Sequence, residues 1–316
     1  MTPPRHGPPD ASLAPRYTGV RTFARCPHVR ELEGVDAAIV GVPFDTATSF
    51  RSGPRFGPEA IRSASALLRP YLPAQDVDVF ARLSVVDWGD VGVTPGNAER
   101  TTAQIAEALG PLVQAGVRPI VLGGDHSVVL GELRAHAAAH GPLALVLLDA
   151  HADTWDQYYG ERYFHGTPFR RALEEGLLRP EASLLAGMRG SLYGPSDLGE
   201  TRAMGFEVLS TDELRDLGTE AYGARVRELV GSAPVYVSFD VDVLDPAFAP
   251  GTGTPEVGGL ATWEALAFVR ALSGLDPVGA DVVEVSPPYD TAGQTTALAA
   301  ATVAHELLGL IAQARG

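Results

Sequence analysis

The chain has 316 residues, 45% hydrophobic and 20% charged, enough to bury the core of a large α/β domain. Its formal charge of -15 and pI of about 4.9 argue against nucleic acid or an anionic membrane as a partner. The single cysteine, Cys26, leaves no intramolecular disulfide and fits a reducing, cytoplasmic compartment. The N-terminus, MTPPRHGPPDASLAPR, lacks the apolar core of a signal peptide, so residues 1–20 are predicted to be an extended Pro-rich arm on one domain spanning 1–316.

AAIVGV at 37–42 is predicted to be a first buried strand. A Gly- and Pro-rich loop follows, and Pro58 and Glu59 open a helix, PEAIRSASALL. A second strand is predicted at 83–87, and Asn97 is placed to cap a helix reaching residue 115. A third strand at 120–122 ends at once in GGDHS; Ser127 is placed to cap the next helix, which Gly141 stops. LALVLL, 143–148, is apolar without alternation, as in a strand buried on both faces. It runs into DAHAD and a long loop containing His165. Further strands are predicted at 184–187, 206–209, 235–239 and 278–285, with helices between them. The segment 294–312 is nearly apolar all round, but Gln294, His305, Glu306 and Gln313 interrupt it. It reads as a core or subunit-contact helix rather than a membrane span.

About eight strands alternating with helices predict a three-layer αβα fold around a mainly parallel sheet. Ligands of such sheets sit at the carboxyl ends of the strands. His126, then Asp149, His151 and Asp153, then Asp240 and Asp242, then Glu284 fall at four strand ends and converge on one sheet edge. Buried unpaired, such groups would cost several kcal/mol each, so a compensating cation is expected. Extended, Asp149 and Asp153 would lie roughly 13 Å apart, too far to share an ion, so the chain must curl after Asp149.

Two histidines and four aspartates exceed what one tetrahedral zinc takes and suit two five- or six-coordinate ions with bridging carboxylates. The oxygen-rich set favours manganese among first-row metals. GGDHS lacks the lysine and spacing of a phosphate loop, and Asp125 reads as a structural hydrogen-bonder beside a ligand. Strand-end aspartates that merely cap helices are the plainer alternative.

GGDHS at 123–127, DAHAD at 149–153, SFDVDVLDP at 238–246 and EVSP at 284–287 together resemble the ureohydrolase family, from about residue 22 onward. The family includes arginase, agmatinase and guanidino-acid amidinohydrolases. The resemblance implies an arginase-like fold, two manganese ions per subunit and release of urea. It also implies a homo-oligomer, trimer or hexamer. Carried onto this chain, it implies one ion on His126, Asp149, Asp153 and Asp240, and another on Asp149, His151, Asp240 and Asp242. GVPFDTATSFRSGPRFGPEAIR and TWDQYYGERYFHGTPF are similar to the agmatinase branch, and PVGADVVEVSPPYD also looks like proclavaminate-type relatives. Ser286 stands where the family commonly has Asn.

The expected reaction is hydrolysis of a small-molecule guanidine, agmatine to putrescine and urea. A guanidino-acid hydrolase acting on 4-guanidinobutyrate or a proclavaminate-like substrate is the alternative. A catalytically silent metal-binding homologue is a third reading. Three residues are expected to do chemistry. Asp153 would orient the attacking water, Glu284 would grip the guanidinium, and His165 would carry a proton to the leaving amine. For the far end of the substrate, Asp156 and Glu161 would attract an ammonium, while Arg51, Arg55 and Arg162 would bind a carboxylate or else pair with those acids. The remaining histidines, His6, His28, His136, His140 and His305, read as structural or solvated.

Overall fold

The computed structural model describes residues 5–315; residues 1–4, at the start of the predicted arm, lie outside them. Eight strands form one sheet: β1 (Ala37–Gly41), β2 (Val85–Asp90), β3 (Arg118–Leu122), β4 (Ala144–Leu148), β5 (Leu184–Met188), β6 (Glu207–Ser210), β7 (Val235–Asp240) and β8 (Pro277–Val283). In space they run β2-β1-β3-β8-β7-β4-β5-β6, and every neighbouring pair is parallel.

Apart from a single helical turn at Val79–Arg82, the helices are α1 (Gly57–Ser65), α2 (Ala98–Gln114), α3 (Val129–His140), α4 (Pro168–Glu174), α5 (Asp197–Ala203), α6 (Thr211–Val230), α7 (Thr262–Arg270) and α8 (Thr295–Ala314). Alternate residues of each strand point to opposite faces, and two sets of helices receive them. Ile39, Val146, Val237 and Val282 pack with Ile61 of α1, Val226 of α6, Phe268 of α7 and Ala300 of α8. On the other face Val40 and Val121 pack with Leu109 of α2, and Leu147 and Leu185 with Leu133 of α3 and Phe169 of α4. This is the three-layer arrangement expected, and it explains why the strands read as unbroken apolar runs.

Several expected boundaries shift. The second strand starts at Val85, and α1 stops at Ser65. Asn97 caps α2 as predicted, accepting from Arg100 N–H at 2.9 Å. Ser127 does not cap α3: it lies inside a single 3-10 turn, His126–Val128, capped by Asp125, which accepts from Ser127 N–H at 3.0 Å. The last strand ends at Val283 because Glu284 takes a left-handed backbone, φ 64°. Helix α8 is long and apolar enough to cross a membrane, but 78% of that window is buried within the protein. Residues 5–20 form no helix or strand; His6 meets the start of β2, where Val85 N–H donates to His6 O at 3.1 Å.

Candidate metal centre

The four central strands β3, β8, β7 and β4 are neighbours, so their carboxyl ends bring together side chains far apart in sequence. His126 follows β3, Glu284 follows β8, Asp240 ends β7, and Asp149 follows β4. The chain curls after β4. His151 N–H donates to Asp149 Oδ1 at 2.7 Å, and Asp153 adopts a left-handed φ of 48° that turns its carboxylate back. His126 Nδ1 then faces Asp153 Oδ2 at 2.9 Å, Asp149 Oδ2 at 3.1 Å and Asp240 Oδ2 at 3.3 Å. Across from it, His151 Nδ1 lies 3.1 Å from Asp242 Oδ2 and 3.6 Å from Asp149 Oδ1.

Three of these carboxylates have one oxygen tied to backbone. Asp149 Oδ1 accepts from His151 N–H, Asp240 Oδ1 from Asp242 N–H at 2.8 Å, and Asp242 Oδ1 from Ala150 N–H at 3.1 Å. The other oxygen of each points into the cluster. His126 Nδ1 and Asp149 Oδ2 are buried and make no hydrogen bond among the described residues. Without a cation the electrostatics conflict. Burial pushes the Asp240 carboxyl well up, with Asp242 and Asp149 adding to it; burial likewise pushes Asp242 up to about 6, against His151. For both histidines burial favours the neutral ring, yet the surrounding carboxylates outweigh it and hold them well above the usual imidazole range.

Ligand atoms of His126, Asp149 and Asp153 lie within 4.8 Å of one another, and so do those of Asp149, His151 and Asp242. Asp149 is common to both sets. This donor chemistry fits a divalent metal centre and would resolve the charge conflict. The His126 tautomer fits too. Ser238 Oγ donates to Asp281 Oδ1 at 2.7 Å and so is free to accept from His126 Nε2–H at 2.9 Å, which leaves Nδ1 unprotonated toward the cluster. Neither Ser238 nor Asp281 was singled out from sequence, although an aspartate inside the apolar run VGADVVEV was a visible signal.

His165 and Glu284 sit beside the cluster as a pair. His165 Nδ1 is 2.9 Å from Glu284 Oε1, which also accepts from His126 N–H at 2.9 Å. Glu284 Oε2 is buried without a hydrogen-bond partner among the described residues, and a β-carbon on Gly253 would stand 3.0 Å from it. A left-handed, non-glycine residue at such a spot is backbone strain of the kind found at functional sites. Burial opposes charge on His165, but Glu284, with Asp153 and Asp125 behind it, outweighs burial and raises its pKa. Asp125 stands outside the cluster, as expected of a structural group. It accepts from Ala47 N–H and Ser127 N–H, each at 3.0 Å, and burial with Glu284 nearby pushes it up to about 7. The Ser286 hydroxyl turns away from Glu284 as a hydrogen-bond partner and donates to Ser52 O at 3.4 Å.

The rim differs from expectation. Asp156 is held by Arg171 at 2.6 Å, Arg162 by Glu174 at 2.6 Å and Arg55 by Asp45. Asp156, Arg162 and Arg55 therefore pair with other residues, not with one another, while the Glu161 carboxylate has no ion-pair partner among the described residues. Arg51 has no carboxylate partner among the described residues and lies over the rings of Tyr289 and Phe50. The opening is instead a cavity of about 360 Å³ walled by Phe50, Trp155, Tyr158 and Tyr193, with His151 at its floor and Glu256 on its side. Sequence reading passed over Glu256, which follows the GTGTP segment directly.

The Arginase family model matches residues 35–309. A guanidinobutyrase of Pseudomonas aeruginosa is 45% identical over 96% of this chain and 96% of its own length. A mitochondrial agmatinase of Gallus gallus is 44% identical over 95% of this chain and 88% of its own. The solved structure of proclavaminate amidino hydrolase from Streptomyces clavuligerus superposes with a TM-score of 0.91 at 44% identity, covering 95% of this chain and 100% of that one.

Proposed function

The chain belongs to the arginase family and is a hydrolase acting on guanidino compounds, and we propose that it uses two manganese ions to convert agmatine to putrescine and urea. His126, Asp149, Asp153 and Asp240 would hold one ion; Asp149, His151, Asp240 and Asp242 would hold the other. When bound, the pair supplies positive charge and a water activated for attack at neutral pH. Protein reconstituted with manganese is expected to approach two ions per chain by metal analysis; full activity at a stoichiometry that never exceeds one would remove the two-metal reading.

The protein's own groups then do three things. The unpartnered Oε2 of Glu284 is available to a guanidinium N–H, which would fix the reacting carbon near the cluster. Asp153, turned inward by its left-handed backbone, orients the nucleophile. His165, charged, gives its Nδ1 proton to the departing nitrogen as the C–N bond breaks, and is left neutral.

One observation carries the choice of agmatine. Besides His151, Glu256 is the only residue among the described ones lining the cavity whose carboxylate or cation could meet a charged tail, and it is an acid. Its carbonyl accepts from Arg189 at 2.8 Å, while no side chain among the described residues pairs with its carboxylate. A substrate with a distal ammonium suits that wall, and the charge of -15 steers a dication inward. Glu256→Gln is expected to lower kcat/KM for agmatine about tenfold and leave 4-guanidinobutyrate nearly unchanged. Tenfold or greater preference of the parent protein for 4-guanidinobutyrate would overturn the agmatine reading and leave the metal chemistry intact. That second reading has its own support: Arg51 lacks an acid partner among the described residues, and relatives named guanidinobutyrase and guanidinopropionase are 45% and 46% identical, against 44% for the Gallus gallus agmatinase. The homo-oligomer belongs to the same proposal, and sedimentation of the manganese-loaded protein would report it.

A further inference from the structure

The loop after β1 forms a clasp. Asp45 accepts from Gly53 N–H at 2.7 Å and from Arg55 Nε at 2.5 Å, tying its two ends together. Asp125 grips the near limb through Ala47 N–H, and Ala47 O accepts from His165 N–H, both at 3.0 Å. Ser49 is thereby fixed on the inner edge, where it aims two groups at one atom. Its backbone nitrogen is 3.0 Å and its Oγ 2.8 Å from His165 Nε2.

The two groups are chemically unlike. An N–H can only donate, so it favours a bare lone pair on Nε2 and opposes a proton there. A hydroxyl can donate or accept. On the far side of the ring Nδ1 meets Glu284 Oε1, an acceptor, which keeps a proton on Nδ1. Glu284, Asp153 and Asp125 all act on the ring's charge, but the only hydrogen-bond partners of Nε2 among the described residues are those of Ser49. Among the described residues that hydroxyl is therefore the one group at Nε2 able to accept from an Nε2–H.

We propose that Ser49 is a positioning residue for His165: its N–H sets the resting tautomer, and its hydroxyl turns to accept from Nε2–H when the ring is loaded with the proton it delivers. The proposal rests on His165 being the proton donor. In that step the Nδ1–H bond breaks and an N–H bond forms on the leaving amine. The C–N bonding pair goes to that nitrogen. The ring ends neutral, its remaining proton on Nε2 and held by Ser49 Oγ.

The test compares Ser49→Ala, Ser49→Gly, Ser49→Thr and His165→Ala in manganese-loaded protein. Two substrates are used: agmatine, and its oxyguanidine analogue, whose leaving alkoxyamine is far less basic and needs less help from a proton donor. Ser49→Ala and Ser49→Gly are expected to lose roughly 10- to 100-fold in kcat on agmatine, with KM and metal content unchanged. On the oxyguanidine the loss shrinks, and Ser49→Thr restores turnover on agmatine. Equal losses on both substrates would mean a merely structural role and overturn the proposal, as would no loss at all or no rescue by threonine. His165→Ala separates the two levels. If it shows no leaving-group dependence, the reading of His165 fails. If it does and Ser49→Ala does not, Ser49 alone fails.

Discussion

Asp149→Ala is expected to lose both metal ions and to lower turnover at least about 10³-fold, the scale set by losing metal-activated water. Asp149 is common to both close groups of ligand atoms, His126–Asp149–Asp153 and Asp149–His151–Asp242, and with Asp240 it is one of the two residues proposed to hold both ions. Its Oδ2 stands 3.1 Å from His126 Nδ1 and its Oδ1 3.6 Å from His151 Nδ1, so its removal takes a carboxylate from each half. Asp242 belongs to one set only, and Asp242→Ala is expected to keep one ion. Metal analysis after dialysis reads the difference directly. An Asp149→Ala protein that still carries two ions would show that the centre is organised around another residue.

His165→Ala is expected to behave in the opposite way: metal content unchanged, kcat down by roughly 10²-fold or more, the usual scale for an acid–base group. His165 belongs to neither ligand set; its two ring nitrogens are taken by Glu284 and Ser49. It is 7% exposed, so a truncated side chain leaves a void beside Glu284 that imidazole added to the assay could enter. Recovery of turnover with added imidazole would support the proton-carrying role. Loss of manganese with normal turnover per bound ion would make His165 a ligand and refute it.

The strands were legible because a parallel sheet covered on both faces demands continuous apolar runs: β4 is wholly apolar, and β7 is interrupted only by Ser238 before it ends in Asp240. The cluster was legible because a metal restricts residue type: histidines and aspartates placed just past such runs have few other uses. The curl after Asp149 followed from reach alone, and the left-handed Asp153 supplies it. Other features had no such signal. Asp125 and Ser127 are both good caps two residues apart; Asp125 prevails because its second oxygen also holds Ala47, a contact across 78 residues. Ser49 and Glu256 are residue types common on any surface, and their importance comes from what lies opposite them. The Ser49–His165 contact spans 116 residues. The rim arginines were legible as charges but not as pairs, because Asp45 and Glu174 reach them through loop and helix geometry that local sequence does not encode.

The position of β8 has a consequence for how the molecule is made. It is the last strand synthesised, yet it lies between β3 and β7 in the middle of the sheet. Until residues 277–283 have left the ribosome, β3 and β7 each present a bare apolar edge, the kind of edge that recruits strands from other chains. The nascent protein is therefore most vulnerable to aggregation late, when most of it has already been built. The two halves of the centre also mature at different times. Asp149, His151 and Asp242 come from β4 and β7, which are neighbours and can pair before β8 arrives. His126 follows β3, on the other side of the gap, and is brought to Asp149 and Asp153 only when β8 inserts. A chain that lacks only its last strand and helix can thus assemble one ligand set, and the final strand closes the other.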